Sequence, residues 1–147
     1  MSDELKRLNE MVKYIPILHS MGVSIEEVNP DGVVTKVPHK GNTNHLGTIY
    51  AGVIFSLAEF TGVPLMEPKM GSFDKIIYLM KEMSIRYRRP ATTDLTVTVN
   101  FTDEDATFCK EALKNEGKVD FMIEMEVKDA TGEVVALSKN LYHLRNK

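Results

Sequence analysis

Along residues 4 to 19, Leu5, Leu8, Met11, Val12, Ile15 and Leu18 recur at three- and four-residue spacings, while Lys6, Arg7, Glu10 and Lys13 fall elsewhere. That periodicity predicts an amphipathic helix lying on the body of the domain, kinked or ended early by Pro16. Val23 to Val28 and Val33 to Val37 are short β-rich runs joined by Asn29-Pro30-Asp31-Gly32, a turn cluster that predicts a hairpin. The polar, turn-prone residues from Pro38 to Gly47 predict a loop. From Ile49 to Met66 the chain is apolar nearly all the way round, which predicts a helix enclosed by other structure.

The remainder supplies the enclosure. Met83, Ile85 and Tyr87 alternate with Ser84, Arg86 and Arg88, and Leu95, Val97, Val99 and Phe101 alternate with Thr96, Thr98, Asn100 and Thr102, the pattern of half-buried antiparallel strands. Asp103 to Glu116 breaks the alternation as a short helix, capped by Thr102 or Asp103 and ended by Gly117. Strands resume from Val119 to Val127, turn at Asp129-Ala130-Thr131-Gly132, and continue from Glu133 to about Tyr142. The order predicts an α+β domain in which a mostly antiparallel sheet curls around one apolar helix. No repeat or linker interrupts it, so residues 1–147 are expected to form one domain: an N-terminal helix over 1–20 and a core over 22–147.

Composition narrows the function classes. With 43% hydrophobic and 27% charged residues the chain reads as a soluble globular protein, and a formal charge of -3 gives no reason to expect nucleic acid as a partner. The single cysteine, Cys109, cannot close an internal disulfide, and no secretory leader is evident, so a cytoplasmic location is expected. The Ile49 to Met66 stretch is too short for a membrane span and is interrupted by Glu59, Ser56, Thr61, two glycines and Pro64.

Glu59 is the only charge between Gly47 and Met66. A carboxylate in apolar surroundings has its pKa raised toward a value useful for proton transfer, but the same residue can serve a structural ion pair with Arg86 or Arg88. The start of the helix exposes unpaired backbone N–H groups at the positive end of its dipole, so the N–H groups of Ala51 and Gly52 can polarise a carbonyl. His39 and His45 are too far apart, and lack a third partner, for a metal site.

Two segments carry a family resemblance. Asn44-His45-Leu46-Gly47-Thr48-Ile49-Tyr50-Ala51-Gly52-Val53-Ile54-Phe55-Ser56-Leu57-Ala58-Glu59 resembles the loop, His-Gly-Gly helix start and Leu-Ala-Asp/Glu helix of the hotdog-fold thioesterases. In particular, it resembles the phenylacetate-pathway-like acyl-CoA thioesterases and related thioesterase-like domains of unassigned substrate. Met83-Ser84-Ile85-Arg86-Tyr87-Arg88-Arg89-Pro90-Ala91 is similar to the strand that follows in those proteins. The family's His-Gly-Gly reads Tyr50-Ala51-Gly52 here; a phenol is no base at neutral pH, but it can donate a hydrogen bond or line an acyl channel.

The resemblance implies a hotdog fold and hydrolysis of an acyl-CoA or acyl-carrier thioester, with coenzyme A entering only as part of the substrate and no other cofactor or metal. Glu59 matches the family's nucleophile or general base, Gly52 its second glycine, and Asn44 a loop position whose amide positions water. Tyr50, Ala51, His45, Arg88 and Arg89 are the candidate substrate-binding residues, the arginines through coenzyme A phosphates. A turn-closing role for Asn44, a surface position for His45 and a solvated strand face for the arginines are the competing readings. An open sheet edge predicts pairing of two copies, and the resemblance implies a homodimer, or a tetramer of two dimers, with residues from both chains at each site. A non-catalytic acyl-CoA or fatty-acyl binding protein is the second functional expectation, and an acyl dehydratase or hydratase the third.

Overall fold

The structure, a computed structural model, describes residues 2–147. Helix α1 spans Asp3–Lys13; the Ser2 hydroxyl caps it by accepting from the Leu5 N–H, and Asp3 and Glu4 sit in its first turn. The predicted N-terminal helix is therefore two helices. The chain breaks at Tyr14 and Ile15, and Pro16 opens a second helix, α2 (Pro16–Met21), at a position where its missing N–H costs nothing.

Strands β1 (Ser24–Asn29) and β2 (Gly32–Val37) form the expected hairpin. Helix α3 runs Ala51–Met70 over 20 residues, longer than the apolar run suggested, and passes through Pro64 and Pro68. Strand β3 (Ile76–Tyr87), β4 (Leu95–Asn100), helix α4 (Asp103–Glu116), β5 (Lys118–Lys128) and β6 (Val134–Asn146) complete the chain. Thr102 and Asp105 cap α4 reciprocally, and Gly117 ends it in the left-handed conformation.

All neighbouring strands are antiparallel, in the order β1-β2-β4-β5-β6-β3. Inner-face residues such as Val97, Val127, Ala136 and Leu144 are buried beneath α3, whose Leu57, Ala58 and Met66 are fully enclosed. This is the hotdog arrangement, a curved sheet around one helix, with α1 and α4 added at its margins. The β4–β5 ladder holds only at Thr96↔Lys128 and Val97↔Val127, and α4 joins the two strands beyond the point where they part.

Strand β3 lies at the sheet edge, with β6 as its single neighbour. Its alternation is weaker than the sequence pattern suggests: Met83 and Ile85 are half-buried and Tyr87 is exposed, because the edge lacks a second strand to cover it. The enclosure of α3 is likewise incomplete. Ala51 and Phe55 are exposed and Glu59 is half-buried, at four-residue spacing, so one stripe of the first two turns stays open. Among the described residues, no helix is long and apolar enough to cross a membrane.

Candidate active site

The loop before α3 is fixed by its own hydrogen bonds. The Asn44 side-chain oxygen accepts from the N–H groups of Leu46 (2.9 Å) and Thr48 (3.2 Å), and its amide donates to Thr48 Oγ1 at 2.9 Å. Asn42 donates to the carbonyls of Met21 and Pro38, each at 2.8 Å, and its own carbonyl accepts from the Tyr50 N–H at 2.9 Å. Tyr50 is delivered in extended conformation as the N-cap of α3 without a side-chain cap bond. The N–H groups of Ala51 and Gly52, the first two helical residues, find no acceptor in the chain. They are the free donors the helix start was expected to present.

The Tyr50 ring folds back over Gly52, where a Cβ would lie 2.6 Å from a ring carbon, so glycine is needed for this approach. Tyr87 reaches from the end of β3 and donates to the Ala51 carbonyl at 2.9 Å. A cleft of about 350 Å³ opens beside the helix start, lined in part by Asn44, Leu46, Ala51, Tyr87, Arg88 and Arg89. The backbone N–H groups of Arg88 and Arg89 both reach the Val135 carbonyl, at 2.8 and 3.2 Å, and the Arg89 side chain meets Glu133 at 3.5 Å. His45 is exposed and does not line the cleft.

Glu59 sits eight residues beyond Ala51 on α3, about 12 Å along the helix axis. Neither Arg86 nor Arg88 pairs with it, and among the described residues no cation lies within ion-pair distance. Burial pushes its carboxyl above the usual glutamate range. Sequence reasoning missed two groups near it. Tyr142 of β6 donates to the Glu59 carbonyl at 2.7 Å, and Asn140 donates to the Ala58 carbonyl at 3.1 Å. No local pattern could have found these contacts, since more than 80 residues separate each pair along the chain. No cluster of metal-binding side chains occurs among the described residues.

Comparison with known proteins places this geometry. A family described as "Domain of unknown function (DUF4442)" matches residues 6–142. The chain belongs to the DUF4442 family. This DUF4442 chain is also similar to a Pseudomonas aeruginosa protein described as of unknown function and as a "probable thioesterase", at 31% identity and TM-score 0.88, over 97% of this chain and 95% of that one. A Chlorobaculum tepidum protein of unknown function superposes with TM-score 0.85 at 15% identity, over 97% of this chain and 94% of that one. A Haemophilus influenzae thioesterase superposes with TM-score 0.72 at 12% identity, over 99% and 93%. The sequence resemblance to the hotdog-fold thioesterase superfamily stands, and the DUF4442 chain shares that fold over 97% of its length.

Proposed function

We propose that this protein hydrolyses an acyl thioester, with Glu59 as general base or nucleophile and the free N–H groups of Ala51 and Gly52 as the oxyanion hole. The observation that carries the proposal is the open stripe of α3: a carboxyl group raised by burial and left without a cation lies on a stripe that begins at the helix start, where two backbone donors are unsatisfied. Relatives named as thioesterases support a thioesterase-like activity. Water, or the Glu59 carboxylate itself, adds to the carbonyl carbon; the oxygen that gains charge is held by the amides; the C–S bond breaks and the thiolate takes up a proton. If the carboxylate attacks, water then opens the resulting anhydride. No cofactor is required beyond the coenzyme A or carrier arm that the substrate brings.

Helix geometry supports a site shared between two subunits. A separation of about 12 Å along the axis keeps one chain's amides and its own Glu59 from addressing the same carbonyl. The amides of one protomer are matched instead with Glu59 of the partner subunit, across a homodimer formed at the open β3 edge. Four large apolar side chains left exposed around the helix start, Leu46, Tyr50, Phe55 and Tyr87, fit burial in such an interface. The cleft beside Ala51 takes the thiol arm, Arg88 and Arg89 meet phosphates at its rim, Asn44 orients water with the amide hydrogen its turn leaves free, and His45 lies at the outer margin. The reducing cytoplasm suits the one free, buried cysteine, Cys109.

A second reading, acyl-CoA binding without turnover, is favoured by one observation, the Tyr50 ring lying over Gly52, the residue that carries one of the two donors. Thiol release from a panel of acyl-CoAs, measured for wild type and Glu59→Gln, separates the two. Hydrolysis predicts release that the variant loses. Calorimetric binding with no release by either protein supports the binding module, and release undiminished in the variant removes Glu59 from the chemistry.

A further inference from the structure

We propose that Tyr142 and Asn140 of β6 are positioning residues that clamp the turn of α3 carrying Glu59 and hold its carboxyl at a fixed depth beside the sheet. The inference rests on the role given to Glu59 above.

The clamp is fully buried. Tyr142 is 1% exposed; its hydroxyl donates to the Glu59 carbonyl at 2.7 Å and accepts from the Asn140 amide at 3.0 Å. The second amide hydrogen of Asn140, itself buried, goes to the Ala58 carbonyl at 3.1 Å. Two consecutive carbonyls in the helix interior, those of Ala58 and Glu59, each take a donor from the sheet. The helix is adapted to admit them. A Cβ at residue 62 would lie 2.1 Å from the Tyr142 ring, so only glycine lets the phenol in, although glycine weakens a helix interior.

The turn also needs outside support. Pro64 has no N–H for the Phe60 carbonyl, which interrupts the hydrogen-bond ladder one residue after Glu59. Stability alone does not account for the polar pair. Asn140 Oδ1 is buried with no partner, and an apolar side chain would fill the space without that cost. What the pair supplies is a direct hold on the backbone of the residue that bears the carboxyl. Tyr142 is also the titratable group facing Glu59 from the sheet, and burial keeps its hydroxyl protonated as a donor far above neutral pH.

Tyr142→Phe keeps the ring and removes the hold on Glu59; Asn140→Leu removes the hold on Ala58. In Tyr142→Phe, kcat on an acyl-CoA is expected to fall about 10- to 100-fold through misplacement of Glu59. KM should stay within about twofold, since binding contacts are untouched. The titration of the Glu59 side-chain carbon, followed by carbon NMR in the free protein and assigned with Glu59→Gln, should move down toward the ordinary glutamate range as the freed turn lets water in. Asn140→Leu should shift both readouts the same way by less. A lowered melting temperature with an unmoved titration in both variants marks a purely structural pair and overturns the proposal. Because the titration needs no turnover, it decides the clamp even if no thioester is hydrolysed.

Discussion

Helix α3 carries two glutamates eight residues apart, and they are handled in opposite ways. Glu67, in the rear half, is only 5% exposed, and the Arg7 guanidinium of α1 forks onto it at 3.0 and 2.6 Å. Its hydrogen bonds to Glu4 and Glu67 raise the Arg7 pKa further. Glu59, in the front half, is less buried but has no cation, and its carboxyl is raised by desolvation alone. Burial therefore does not distinguish the carboxylate proposed as catalytic from the paired one; the missing partner does. A buried charge that is matched and hydrogen-bonded joins helix to helix, whereas an unmatched one keeps its proton affinity available for chemistry.

The largest effect expected from that contrast is on turnover. Glu59→Gln should lower kcat on a thioester by about 10³-fold, the range of a lost general base, while circular dichroism stays that of wild type. Glu67→Gln, by contrast, should leave kcat within a few-fold, so a comparable loss there would erase the distinction. Next comes stability. Arg7→Met leaves Glu67 buried without its cation and should cost about 3 kcal/mol in urea unfolding, near the low end for such a pair because Arg7 is half-exposed and admits water. Adding Glu67→Gln to that variant should restore most of the loss.

A somewhat smaller effect should follow from Ala51→Pro. Proline is well suited to the first helical position, and the extended backbone of Tyr50 is compatible with a following proline, so the substitution deletes one donor and spares the helix. Loss of one oxyanion donor should reduce kcat about 10²-fold. The smallest effect separates the glutamates by pH. The folded-state pKa of Glu59 is raised, so its contribution to stability is complete below the unfolded-state value of 4.5 and is lost as pH rises through the folded value. Glu59→Gln should then raise the melting temperature more at neutral pH than at pH 4, and the reverse order would mean that a cation satisfies Glu59 after all.

Much of this was readable in the chain. The hairpin, the apolar helix, the short helix from Asp103 to Glu116 and the strands after it follow from local periodicity and turn residues, which is why the sequence pattern finds them. Glu59 stood out because its neighbours are apolar for many residues on either side. Other features depend on distant parts of the chain. The apolar run suggested a helix as far as Met66, but packing beneath the sheet carries it on to Met70. Glu67 drew no reading from the sequence, because its role depends on Arg7, 60 residues away. Asn44 carried two readings, a water-positioning amide and a turn-closing residue, and the structure shows the turn it closes through Leu46 and Thr48. The clamp on Glu59 is legible only once β6 lies beneath α3.

The central claim, that amides of one protomer and Glu59 of the partner subunit act on the same thioester, has a direct test in mixed dimers. Ala51→Pro and Glu59→Gln proteins, each nearly inactive alone, are unfolded together, refolded, and assayed for thiol release. Random pairing makes half of the dimers mixed, each with one intact site of two, so recovery of about a quarter of the wild-type rate is predicted. A mixture as inactive as its two components would place both groups of each site in one chain and contradict the account.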